Sequence, residues 1–229
     1  SYSLNDTSPD DELLAAASAG RLSTSEEISA QAKRLLMTPA GERMVRHFHE
    51  QAYELAGYRQ ARKDPTLFPL FPASVPEDAA EEARRFSVDV FQRGEGLGEL
   101  LTSNRTFVNQ RLAKLYGIAG SFGEGWTPVE LPTSERAGWL TRIGFLAAKA
   151  DLRQPDPIRR GVFITRAFLC RSLPPPAPDV PAVPTSGAPT NRERVEALTG
   201  LGTCGEACHV LINPLGFALE HYDAAGQHR

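Results

Sequence analysis

Apolar residues in the first 150 positions recur three and four residues apart, and each run opens on a helix-start signal. Ser8-Pro9-Asp10-Asp11 offers a capping serine, a proline for the first helical position and acids for the first turn. Ser23-Thr24-Ser25-Glu26 reads as a capping box ahead of Ile28, Ala32, Leu35 and Leu36. Thr38-Pro39 opens a helix expected to run to about residue 56, with Met44, Val45, Phe48, Ala52 and Leu55 on one face. Residues 64–76 form a proline-punctuated loop held to the core by Leu67, Phe68, Leu70 and Phe71. Helices are expected over 77–91, over 107–116 with a stop at Gly117, over 136–148 and over 158–173. The stretch 119–132, rich in glycine and proline, breaks this series. Seven prolines in 174–189 make a stiff, extended connector, followed by a short helix over 191–201. No strand-like alternation persists beyond four or five residues, so the expected fold class is all-α.

At 229 residues the chain is long enough for one large domain or two small ones with a real core. A formal charge of -3 provides no general basic field, which argues against nucleic acid as a main partner. No run of eighteen apolar residues is present to span a membrane, and the polar first ten residues do not read as a signal peptide.

The chemistry concentrates near the end, in Cys204-Gly205-Glu206-Ala207-Cys208-His209. The covalent haem-attachment signature is C-x-x-C-H, in which two thiols bond the porphyrin and the adjacent imidazole ligates the iron. Here three residues separate the cysteines instead of two. A pair at that spacing could equally form a disulfide, half a zinc site or two buried thiols. Zinc requires more ligands than Cys170 and scattered histidines readily supply, and a disulfide has no use for the histidine that follows. Leu211, Pro214 and Phe217, with Val210, Ile212, Leu215 and Leu219, could wall an apolar porphyrin face or serve as ordinary core.

Several runs, taken in order, carry a family resemblance. They are Ser1-Tyr2 with Pro9 to Leu14; Asn104-Arg105-Thr106-Phe107-Val108-Asn109 with Leu112-Ala113 and Tyr116-Gly117; Pro157-Ile158-Arg159-Arg160-Gly161; Leu169-Cys170 before Pro174-Pro175-Pro176; and Cys208-His209 before Pro214-Leu215-Gly216-Phe217-Ala218-Leu219-Glu220, then Asp223 and Gly226. Together they resemble the planctomycete-type cytochrome-associated proteins, large exported bacterial proteins built from modules. The resemblance covers nearly the whole chain and implies two adjacent modules, a helical scaffold over 1–150 and a cytochrome-c-like haem module over 151–229. It also implies that the chain is an internal piece of a longer polypeptide. Asn213 stands where the family has aspartate, which removes a charge beside the implied haem.

The reading that follows is an electron-transfer module carrying haem c through Cys204, Cys208 and His209, placed in the periplasm or on the cell surface. Its partners would be redox proteins or other modules of the same polypeptide. For the opposite face of the iron no methionine follows Met44, and His49 is the first choice because it neighbours Val45 and Ala52. His47, His221 and His228 are the others. Two alternatives stand beside this reading: a haem enzyme of the oxidase or peroxidase type, and a metal-free interaction scaffold with a Cys204–Cys208 disulfide. Arg159, Arg160, Arg166 and Arg171 read as solvated helix-surface cations, and Glu81-Glu82 with Arg84-Arg85 as a mixed solvated face.

Overall fold

A computed structural model describes residues 1–174, 190–200, 202–203 and 205–229, with the backbone alone for 206 and 207. The expected connector therefore lies largely outside the described residues. The helices, in chain order, are α1 (Tyr2–Asn5), α2 (Asp11–Ser18), α3 (Ser25–Leu36), α4 (Pro39–Ala52), α5 (Leu55–Tyr58), α6 (Val75–Gln92), α7 (Leu97–Thr102), α8 (Gln110–Leu115), α9 (Ile143–Ala148), α10 (Pro157–Ala167), α11 (Asn191–Thr199) and α12 (Glu206–Phe217). A 3₁₀ turn at Trp139–Thr141 precedes α9.

Capping chemistry sets the starts. Thr24 accepts from the Glu27 amide while the Glu27 carboxylate accepts from the Thr24 amide, a capping box whose acid is one residue later than Glu26. Thr38 accepts from Gly41, with Pro39 at the first helical position as expected. At α2 the cap is Asp10, not Ser8; its carboxylate accepts from Leu13 and also binds Arg34, so the acid outcompetes the hydroxyl.

The fold is mainly helical, but not wholly so. Residues 107 and 108, expected to open a helix, instead end strand β1 (Arg105–Val108), antiparallel to β2 (Thr127–Glu130), with Arg105 opposite Glu130 and Val108 opposite Thr127. Thr106 and Val108 point inward and are fully buried, which is the two-residue period of a strand. Asn109 then ends the strand and caps α8, its side-chain oxygen accepting from Arg111 and Leu112. The helix expected over 136–148 is likewise cut short, to the 3₁₀ turn and α9.

Helix α6 runs through the centre, with two buried clusters sharing its length. One gathers Tyr58, Phe86, Trp139, Phe145, Phe163 and Leu219; the other gathers Phe68, Val75, Val108, Leu112, Ile143 and Ala224. Both draw on residues before and after position 150. In the proline loop Phe68 and Phe71 are buried, whereas Leu67 and Leu70 face solvent, as does Phe48 on α4. Arg84 and Glu82, expected on a solvated face, are both buried. Arg84 draws together Glu50, Glu77 and Glu81, tying α4 to α6.

The closest helix pair is α10 against α12. A methyl group on Gly161 would lie 2.2 Å from the Ile212 carbonyl oxygen, and one on Gly216 would lie 1.9 Å from that of Pro157. Backbone meets backbone at both points, which only glycine allows. Arg160, expected on the surface, is completely buried at this crossing. Its guanidinium donates to the carbonyls of Leu219, Tyr222, Leu146 and Asp223, fastening the chain after α12 to α9 and α10. Leu219 and Asp223 also accept from the amides of Tyr222 and Gly226, so the arginine adds a second donor there and meets the carbonyls of Leu146 and Tyr222, which a planar, many-donor cation can do at once.

Candidate functional site

Helix α12 carries most of the residues singled out from the sequence. Ile212 packs on Gly161 at the α10 crossing, and Phe217 is buried. The opposite flank of α12 faces α11, and between the two helices lies an open cleft of about 520 Å³. Arg192 and Glu196 from α11 line it, with His209, Asn213, Pro214 and Phe217 from α12. Other surface clefts have similar volumes, such as one of about 490 Å³ beside α4 and α5. Volume therefore does not single out this site; its chemistry does.

The His209 ring places Nδ1 3.0 Å from Asn213 Oδ1, one helical turn on. Asn213 Nδ2 donates to Thr199 Oγ1 at 2.9 Å, and Thr199 Oγ1 lies 2.6 Å from the Val195 carbonyl oxygen. Asn213, Thr199 and Val195 are each at least nine-tenths buried. At the outer edge the Arg192 guanidinium sits 4.7 Å from the Phe217 ring centroid and pairs with Glu196 at 3.0 Å. The proline inside α12, Pro214, brings no amide proton, so the helix forgoes its bond to Val210 in the wall of this cleft.

The remaining candidates are distributed as follows. Cys208 is a free, half-buried thiol just before His209. It does not line the cleft, since neighbours on a helix point about 100° apart. Leu211 is partly exposed on the side away from the cleft. Cys204 lies outside the described residues. Cys170 is a free, exposed thiol with left-handed backbone at φ 51°. Among the described residues no group of three or more His, Cys, Asp or Glu side chains is placed to hold a metal ion.

His49 is not brought to this cleft. It sits on α4, which packs on α1, α3, α5 and α6. Its Nδ1 lies 2.7 Å from the Val45 carbonyl oxygen, so that nitrogen carries the proton, and its ring rests 5.7 Å from that of Tyr53. Burial pushes this imidazole below its ordinary pKa, which favours the neutral ring.

At the cleft the His209 imidazole, with one nitrogen hydrogen-bonded within the protein, and the apolar flank at Pro214 and Phe217 fit a haem, whereas the Cys208 thiol stands off the cleft wall. The sequence alone missed Asn213 as a partner of His209, although its four-residue spacing carried the signal. It also missed Thr199 and Arg192, whose approach depends on how α11 docks across residues that separate it from α12.

Among the described residues no helix is long and apolar enough to cross a membrane. A family model named PSD4, described as a protein of unknown function (DUF1592), matches residues 1–118. A second, PSCyt3, described as a protein of unknown function (DUF1588), matches residues 136–229. No curated protein and no solved structure gives a match. The first match takes in more than half of the chain and the second follows it in order, so the chain belongs to the planctomycete cytochrome-associated families, as two adjacent modules.

Proposed function

We propose that residues 151–229 form a c-type haem-binding module that passes single electrons within a larger exported bacterial protein. Cys204 and Cys208 provide the attachment and His209 the axial nitrogen. The observation that carries this reading is the His209–Asn213 hydrogen bond at the cleft wall. It occupies Nδ1 and leaves Nε2 available, the arrangement of a protein-held imidazole ligand. Bound haem iron supplies a one-electron couple; attachment, orientation and polarity come from the protein. Pro214 and Phe217 exclude water from one side of the cleft. Arg192 supplies a cation at the rim, held near Phe217 and opposed by Glu196. His49 is left out of the ligand set, because it lies on α4 away from this cleft. The scaffold over 1–150 positions the module and meets redox partners or further modules of the same polypeptide, in the periplasm or at the cell surface.

A reduced-minus-oxidised visible spectrum of the exported protein tests this directly. The expected result is a c-type difference spectrum in the wild type that is perturbed in His209→Ala. A wild type without any difference spectrum would overturn the reading. Carbon monoxide then separates the electron carrier from a haem enzyme. A carrier with two strong axial ligands leaves the reduced spectrum unchanged on exposure to the gas, and a shift on adding it assigns an open, enzyme-like iron.

A further inference from the structure

The hydrogen bonds behind His209 determine more than its position. Thr199 Oγ1 has one proton, and the Val195 carbonyl oxygen 2.6 Å away has none, so the Thr199 proton lies between them. The remaining lone pairs of Thr199 Oγ1 can only accept. The group of Asn213 that faces Thr199 at 2.9 Å must therefore be the NH₂, which turns the amide oxygen toward His209. That oxygen only accepts, so the contact at 3.0 Å requires the proton on His209 Nδ1. A neutral imidazole has a single N–H, and the lone pair is left on Nε2. Reversing the amide would set two oxygens against each other at Thr199 with no proton between them, in surroundings where Thr199 and Asn213 are only 7% and 8% exposed.

We propose that Asn213 is the positioning residue that fixes the His209 tautomer, with Thr199 fixing Asn213 in turn, and that the neutral amide at 213 tunes the ligand. The tuning half rests on the haem-binding reading; the tautomer half does not. An uncharged acceptor on Nδ1–H withdraws less of that proton than a carboxylate does. The imidazole stays a moderate donor, and the ferric state is stabilised less than it would be behind an acid. The relay begins in α11 and ends in α12, so the docking of these two helices reaches the ligand through three hydrogen bonds.

The test has two arms. In the haem-free full chain, ¹⁵N spectra of the histidine rings are recorded where His209 is neutral. The expected wild-type signature is a protonated Nδ1 and a bare Nε2, with Thr199→Val and Asn213→Leu moving both signals toward an averaged tautomer mixture. A wild type carrying its proton on Nε2, or variants with unchanged ring signals, would overturn the relay. In the haem-loaded protein, the reduction potential of Asn213→Asp is expected to fall below that of the wild type, and equal potentials would overturn the tuning. Asn213→Asp keeps the size of the side chain, and Thr199 meets the new carboxylate by turning its hydroxyl proton from the Val195 carbonyl toward it, so a folding defect in the leucine variant does not decide the matter. Protein that takes up no haem removes the haem reading, and the tuning with it, but leaves the first arm to stand or fall on its ring signals.

Discussion

A guanidinium closed off from water is costly unless its donors are met, and the two terminal nitrogens of Arg160 meet four backbone carbonyls without a carboxylate in direct contact, while Nε is buried without a partner. Burial lowers its pKa to about 10. Arg160→Met should fill much of the space while stranding the carbonyls of Leu146 and Tyr222, at a cost of about 3 kcal/mol in urea unfolding; a loss under 1 kcal/mol would contradict the role assigned here. Glu82 is the acidic counterpart. Its Oε1 accepts from Thr106 at 2.6 Å and from Tyr116 at 2.7 Å, whereas Oε2 is buried without a hydrogen-bond partner. Burial raises its pKa above the ordinary 4.5 despite the attraction of Arg142. The native state therefore holds this proton at pH values where the unfolded chain has released it. Stability from this group is fully present below pH 4.5 and declines as pH rises toward the native value. Glu82→Gln preserves the acceptor for Thr106 and Tyr116 and cannot titrate. It should gain on the wild type steadily through that window, as read from melting temperatures across pH. A constant difference would show that Glu82 titrates alike in both states.

At the scale of elements, the α10–α12 crossing holds the candidate site in place. Gly161→Ala should cost about 1–3 kcal/mol by forcing α12 off α10, and the His209 ring signals should move with it; an unchanged midpoint in urea would refute the close approach. Two of the motifs behind the family resemblance gain a physical meaning here. Pro157 to Gly161 and Pro214 to Glu220 are the two sides of this contact, with Gly216 against the Pro157 carbonyl. Helix starts at Thr24 and Thr38 were legible because capping is local, whereas the Thr190 cap of α11 went unread. Nor was the hairpin legible. Val108 also sits at helical spacing from Leu112, and a four-residue strand is too short for its period to prevail. Arg160 was misread because a helix surface and a helix crossing look alike in sequence, and only the folded arrangement gathers the carbonyls of residues 146, 219, 222 and 223 around one cation. The four-residue step from His209 to Asn213 could have been read; the Thr199 contact requires α11 in place.

For the whole molecule, the buried clusters matter as much as the cleft. Residues 219–225 enter both of them, so the chain beyond α12 is built into the scaffold that α6 organises. A module joined so firmly suits a fixed electron path better than a swinging carrier, and removal of residues 218–229 should unfold the α6 core as well as the cleft; cooperative loss of helical signal checks this, and a stable truncated scaffold would contradict it. The central claim is that Cys204, Cys208 and the His209 imidazole hold a haem, and the most direct measurement is the intact mass of the denatured chain after export alongside a covalent haem-attachment system. The account predicts one covalently retained haem per chain, lost when both Cys204 and Cys208 are replaced by alanine. The bare polypeptide mass, with both thiols open to alkylation, would contradict it.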